Sequence, residues 1–210
     1  MKLVVLFILA CASCSRENAP APKSAVTGPV ALFVGDSLTA GYGVDPEDAW
    51  PALIGADWKR RGLDWHARNA AVSGATSAGA SAEVAWALTP DVKLVFVCVG
   101  GNDGLRGVPP AETKRNLRAL IAAAQSRGLR VALAGMKLPP NYGLKRAEEF
   151  AAIFPDLARE RRVPLLPFLL EGVAADPALN QEDGLHPNAE GHKRVAAAVS
   201  KFLDKEGLLK

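Results

Sequence analysis

The chain has 210 residues, with 25 Lys or Arg against 22 Asp or Glu and a formal charge of +3. Hydrophobic residues make up 49%, enough to bury one good core, so disorder of the bulk is excluded because it needs low hydrophobicity and high net charge. The small charge speaks against a dedicated nucleic-acid binder, and the 3 cysteines make neither a disulfide framework nor a zinc-site spacing.

Met1-Lys2 leads into the apolar run Leu3 to Ala10, then Cys11-Ala12-Ser13-Cys14. A positive charge, a short apolar stretch and small residues make a secretory signal. The run is too short for a transmembrane helix of about twenty apolar residues. It also resembles a bacterial lipoprotein signal, in which a cysteine is acylated and becomes the new terminus. Cys14, after Ala12-Ser13, and Cys11, after Leu9-Ala10, compete for that role. Cys14 has Cys11 where an aliphatic residue is usual, and Cys11 has Leu9 where a small one is. Residues 1–14 are thus expected to be a signal peptide of lipoprotein type, placing the protein in the envelope, periplasm-facing or outer, with a lipid anchor for membrane association. Residues 15–29, rich in Ala, Pro, Ser, Asn and Lys, read as a flexible tether. The folded domain is expected over residues 30–207.

The domain opens with Val30 to Val34, a short apolar run ended by Gly35, which reads as a strand buried on both faces. Asp48 is expected to cap a helix containing Trp50, Leu53, Ile54 and Trp58 that stops at Gly62. A weaker strand follows at Trp65 to Arg68, then an Ala-rich helix from Ala78 to Leu88. Val92 to Val99 is the strongest strand, with almost no polar break. Pro109-Pro110 open a helix carrying Leu117, Leu120, Ile121 and Ala124, ended by Gly128. Arg130 to Ala134 is another strand, and Leu144 to Arg162 a helix that Pro155 is expected to kink or break. Val163 to Leu166 is a last short strand, and the final helix carries Val195, Val199, Phe202 and Leu203 on one face. Strands alternating with helices mean an α/β fold, a parallel sheet covered on both sides. Its ligand site lies beyond the carboxyl ends of the strands.

Polar residues cluster at those strand ends. The first strand runs into Gly35-Asp36-Ser37-Leu38-Thr39, which can present the Ser37 hydroxyl or form a turn capped by Asp36 or Ser37. It is not the Gly-x-Ser-x-Gly elbow, since Thr39 stands where that motif has glycine. The second strand ends in Asn69 to Thr76, where Gly74 permits a backbone angle that aims its N–H into the site. Thr76 or Ser77 can cap the next helix. The main strand ends in Gly100-Gly101-Asn102-Asp103-Gly104, a turn in which Asn102 can offer amide N–H to a negative charge. Asp183-Gly184-Leu185-His186-Pro187 can fold a carboxylate back onto an imidazole. His66 and His192, in a strand and a helix, read as structural or surface residues, and Cys98 as an inert packed thiol.

Together these parts make acyl transfer to water. Serine is unreactive until a base takes its proton, and histidine suits that near neutral pH. The imidazole needs an acceptor such as Asp183 to fix its tautomer. Ser37 N–H, Gly74 N–H and the Asn102 amide would surround the oxyanion, each such donor being worth about 3–4 kcal/mol. No metal or other cofactor is needed.

Gly-Asp-Ser-Leu, the later Gly74, Gly-Gly-Asn-Asp and Asp-x-x-His resemble the blocks of the SGNH (GDSL) hydrolases, most closely the bacterial thioesterase, lysophospholipase and arylesterase branch. The resemblance runs from about Val30 to Phe202. It implies a three-layer α/β/α flavodoxin-like fold with a five-stranded parallel sheet. It assigns Ser37 as nucleophile, His186 as base, Asp183 as its partner, and Gly74 and Asn102 as oxyanion donors. It also implies that the loop from Gly104 and Leu105 to Pro109, and the one near Leu138, line the acyl site. The expected partner is a small acyl-ester substrate in a shallow pocket, the expected state a monomer without nucleic acid. The alternatives are an O-acetylesterase of envelope carbohydrate, a binding lipoprotein on a disabled hydrolase fold, and a metal phosphoesterase using Asp36, Asp103, Asp183 and His186.

Overall fold

Strands buried on both faces can satisfy their backbone only by pairing, and each face then needs a layer of helices. The computed structural model describes residues 27–210 and has this arrangement. The segment holding Cys11 and Cys14, with the expected signal peptide and most of the tether, lies outside the described residues. Five parallel strands, β1 (Val30–Gly35), β2 (His66–Asn69), β3 (Val92–Cys98), β4 (Arg130–Ala134) and β5 (Leu165–Leu166), form one sheet in the order β2-β1-β3-β4-β5. The helices are α1 (Ser37–Ala40), α2 (Trp50–Arg60), α3 (Ser77–Ala87), α4 (Gly101–Arg106), α5 (Pro110–Gln125), α6 (Leu144–Arg161) and α7 (Ala189–Lys205). α2 packs with α7, while α3, α5 and α6 pack in succession, giving the two outer layers. This is the flavodoxin-like strand order, and its direction reverses between β1 and β3, where a crevice opens beyond the strand ends.

The core explains the strand and helix composition. Phe33 of β1 meets Trp50 edge-on at 4.9 Å between ring centroids and Phe96 at 5.9 Å, and Phe202 of α7 lies 5.9 Å from Phe96. Phe150 and Phe154 of α6 stack edge-on at 5.5 Å. Burying each such side chain contributes about 1.5–3 kcal/mol. Among the described residues the buried core is one cluster running from Val30 to Leu208, the size and continuity expected of a domain able to fold on its own. Leu208 takes the core one residue past the expected end of the domain.

Four local expectations are corrected. Asp48 does not cap α2: it ends a 3₁₀ turn, Pro46–Asp48, and the helix has no side-chain cap. The Trp50 N–H instead donates to Nδ1 of buried His192 at 3.3 Å, so an imidazole from α7 satisfies the helix start. α6 runs through Pro155 without a break. The proline forfeits one hydrogen bond, but Phe150, Ile153, Phe154, Leu157 and Ala158 are buried along the helix and hold it to the core. Gly101–Arg106, read as a turn, is the short helix α4, and β5 is only Leu165–Leu166.

Candidate active site

β1 delivers its last residue to the crevice in a tight turn. A Cβ on Gly35 would stand 2.3 Å from Thr39 Oγ1 and 3.0 Å from Cys98 O, so only glycine fits. Asp36 then caps α1, its carboxylate accepting the Leu38 N–H at 3.1 Å. With the cap supplied by Asp36, the Ser37 side chain is left free for the crevice. The Trp50 indole donates to Leu38 O at 3.0 Å, tying this turn to the core.

The Asp183–Pro187 segment meets Ser37 from across the crevice. Asp183 accepts the backbone N–H groups of Leu185 at 2.9 Å and His186 at 3.0 Å, while its other oxygen lies 2.6 Å from His186 Nδ1. A carboxylate can only accept, so Nδ1 carries the proton and Nε2 is left as an acceptor. His186 Nε2 stands 2.9 Å from Ser37 Oγ. Gln181 fixes the loop, its backbone N–H donating to His186 O at 2.8 Å and its amide to Pro187 O at 2.9 Å. Tyr42 covers the imidazole, with ring centroids 4.8 Å apart.

The electrostatics separate the carboxylates. The His186 backbone N–H, helped by that of Leu185 and by the imidazole, holds Asp183 down to about 2, an anion facing the ring. Burial pushes Asp36 up to about 6. It lowers His192 to about 4 and raises the Cys98 thiol, leaving both inert as the sequence implies.

The groups expected to donate to an oxyanion reach the same cavity from the other two strand ends. Gly74 has φ +82°, a left-handed angle natural to glycine. No acceptor among the described residues takes the backbone N–H of Ser37 or Gly74. Asn102, on the first turn of α4, donates one amide hydrogen to Ala75 O at 3.1 Å and keeps a second for the crevice. Sequence reasoning missed what holds this arrangement. Asp103, 1% exposed, accepts the Ser77 N–H at 2.7 Å and the Ser77 hydroxyl at 2.5 Å, with Thr113 Oγ1 at 3.3 Å. Thr76 caps α3 by accepting the Gly79 N–H at 3.3 Å, so Ser77 is free for that bond. The amide of Asn69 likewise donates to Thr39 O at 2.9 Å, joining the first two strand ends.

A cavity of about 720 Å³ opens over these groups, lined by Ser37, Gly74, Asn102, His186 and the apolar Leu105, Met136, Leu138, Phe168 and Leu170. That volume is in the range of drug-sized ligand sites. Leu105 and Leu138 line it as expected, but Gly104 does not. A Cβ there would lie 2.4 Å from Leu138 Cδ2, so Gly104 makes room for Leu138 to pack beside α4 and stays out of the lining itself. Tyr42, Met136 and Phe168 had no motif to announce them. The phosphoesterase grouping does not assemble, because Asp36 caps α1 and Asp103 binds Ser77. Among the described residues no group of three or more His, Cys, Asp or Glu is placed to hold a metal ion.

Comparison with known proteins gives the family. The profile of the GDSL-like Lipase/Acylhydrolase family matches residues 33–194. The chain is 39% identical over 173 residues to thioesterase 1/protease 1/lysophospholipase L1 of Escherichia coli (strain K12), covering 82% of each. It is 36% identical over 208 residues to an arylesterase of Vibrio mimicus, covering 98% of this chain and 97% of that one. The crystal structure of the psychrotrophic esterase EstA from Pseudoalteromonas sp., inhibited by monoethylphosphonate, superposes with a TM-score of 0.80 at 30% identity, covering 84% of this chain and 97% of that one. The chain therefore belongs to the GDSL-like lipase/acylhydrolase family, the SGNH hydrolases, and is an enzyme of that family.

Proposed function

We propose that the protein is an exported serine esterase. It cleaves aryl and other carboxylic esters of short to medium acyl chains, and thioesters, through an acyl-enzyme. The observation that carries the reading is the unbroken contact from Asp183 through His186 to Ser37, at 2.6 and 2.9 Å, beneath a mainly apolar cavity.

Ser37 Oγ attacks the acyl carbon as His186 Nε2 takes its proton, and Asp183 stabilises the imidazolium. The carbonyl oxygen becomes an oxyanion held by the Ser37 and Gly74 N–H groups and the Asn102 amide. Collapse expels the alcohol or thiol, which takes the proton from His186. Water then enters, gives a proton to Nε2 and attacks the acyl-enzyme. The second tetrahedral intermediate releases the acid, and Ser37 recovers its proton. Met136, Leu138, Phe168 and Leu170 receive the acyl chain. The leader, with one Lys before Leu3 to Ala10 and cysteines just after, supports export and anchoring through Cys14 or Cys11.

An acyl-length series of aryl esters and thioesters tests the reading on residues 27–210. Hydrolysis peaking at short to medium chains is expected. A domain that leaves every aryl ester intact yet deacetylates an O-acetylated sugar is a carbohydrate O-acetylesterase instead.

A further inference from the structure

Helices that follow parallel strands run back against them, so the strand starts and most helix ends share the edge opposite the site. Hydrogen bonds join that edge into one surface. Val30 N donates to Asp91 O at 2.9 Å, and His66 Nε2 meets Thr27 O at 3.2 Å where the described chain begins. Arg127 reaches Leu88 O at 2.9 Å, and Arg130 reaches Leu208 O at 2.7 Å. Lys93, Arg127, Arg130, Arg162 and Lys210 are all exposed here and outnumber the exposed carboxylates Asp64, Asp204 and Glu206. Lys93, Arg127 and Arg162 form no salt bridge among the described residues; Asp91 is engaged by Arg68. Trp86, on the last turn of α3 beside Leu88, is 87% exposed, whereas Trp50, Trp58 and Trp65 are buried.

The site edge has the opposite character. Asp45, Glu47, Glu171, Asp176 and Glu182 are exposed on the loops of that edge and outnumber the exposed Arg106, Lys137 and Lys145 and the half-buried Arg146 there. The exposed Tyr42, Val72, Tyr142, Leu144 and Leu185 also lie on this edge, but an anionic lipid surface would repel the carboxylates among them. The chain preceding Thr27, with its apolar Leu3 to Ala10 and candidate acylation sites, joins the domain at the basic edge. An anchored leader brings that edge to the lipid first.

We infer that the basic edge docks on an anionic phospholipid surface, with Trp86 seated among the headgroups and the cavity mouth turned away from the bilayer. Exposed Lys and Arg are drawn to anionic headgroups within a Debye length, and tryptophan prefers the headgroup level. The inference takes the anchored reading as its setting. It adds an orientation: substrate reaches the site from the aqueous side.

The test uses residues 27–210, which carry all of the described core and none of the expected leader. Co-sedimentation with phosphatidylglycerol-rich vesicles is expected, with little binding to pure phosphatidylcholine and release at ~0.5 M salt. Trp86 emission should shift to the blue and lose its iodide quenching on binding. Lys93→Glu with Arg162→Glu should lower partitioning about tenfold or more while leaving hydrolysis of a soluble aryl ester unchanged. Lys137→Glu, on the site edge, should leave vesicle binding intact. Equal binding to neutral vesicles, indifference to the double variant, binding lost through Lys137→Glu, or a Trp86 still quenched by iodide would each overturn the inference. A domain that binds but hydrolyses nothing would sink the esterase reading alone; one that hydrolyses but does not bind would sink only the docking surface.

Discussion

The loop carrying His186 and the first turns of α7 carrying His192 are neighbours in the chain and opposites in chemistry. His186 sits at the crevice with its side chain 20% exposed, one ring nitrogen on a carboxylate and the other on a hydroxyl. His192 is 1% exposed, and its Nδ1 accepts the N–H that opens α2. Burial makes His192 a neutral structural acceptor, while a carboxylate on one side and a hydroxyl on the other suit His186 to the base role proposed for it. The residue type is the same; the second partner and the water decide its use.

Substitutions can break that contrast. The largest effect is expected at Ser37→Ala, a loss of ~10⁴-fold or more in kcat with cooperative unfolding retained; urea melts and steady-state kinetics check both. Asp183→Asn removes the acceptor that fixes the Nδ1 proton and should cost ~10²–10⁴ in kcat, with the equivalent loss absent from His192→Asn. Asn102→Ala should lower kcat by ~10²–10³ with little change in KM; an effect confined to KM would make Asn102 a binding residue. Asp103→Asn keeps the shape but weakens the grip on Ser77, and a fall of ~10-fold in kcat at constant KM is expected from the displaced oxyanion donors.

The smallest effect lies in stability against pH, and it sharpens the comparison. The His192 pKa is about 4 in the fold against the ordinary 6.5, so the unfolded chain takes up that proton first and stability falls as pH drops through this window. Asp36 acts oppositely: raised from 3.8 to about 6, it favours the fold as pH falls through that range. Asp183, held at about 2, contributes stability that is lost only on further acidification below its ordinary 3.8. His192→Asn keeps an acceptor for Trp50 and removes the histidine contribution. Its urea midpoint should gain on the parent between about pH 7 and pH 4.5; a constant gap would show that His192 is not a buried neutral group.

The sequence makes the candidate site groups legible because Ser37 and Asn102 follow apolar strands, where α/β sheets place their sites, and Asp183 and His186 form a compact polar block of their own. Gly35, Gly74 and the Asp183-to-His186 spacing are local facts whose consequences are local. Contacts between distant segments were not legible. That His192 would replace Asp48 at the start of α2 depends on α7 lying against α2, and the Asp103–Ser77 bond depends on α4 meeting α3. Leu138 over Gly104 is of the same kind: a glycine in a site block looks like a ligand contact until its neighbour is known. Pro155 misleads because its cost is local, while five buried side chains across α6 outweigh it.

The central claim, that Ser37 is a nucleophile activated by His186, is tested most directly by peptide mass spectrometry after treatment with an aryl phosphonate. The account predicts one phosphonyl group per chain, on the peptide containing Ser37, with activity lost in proportion and labelling slowed steeply in His186→Gln. An active protein that takes up no label, or a label carried on any other residue, would contradict it.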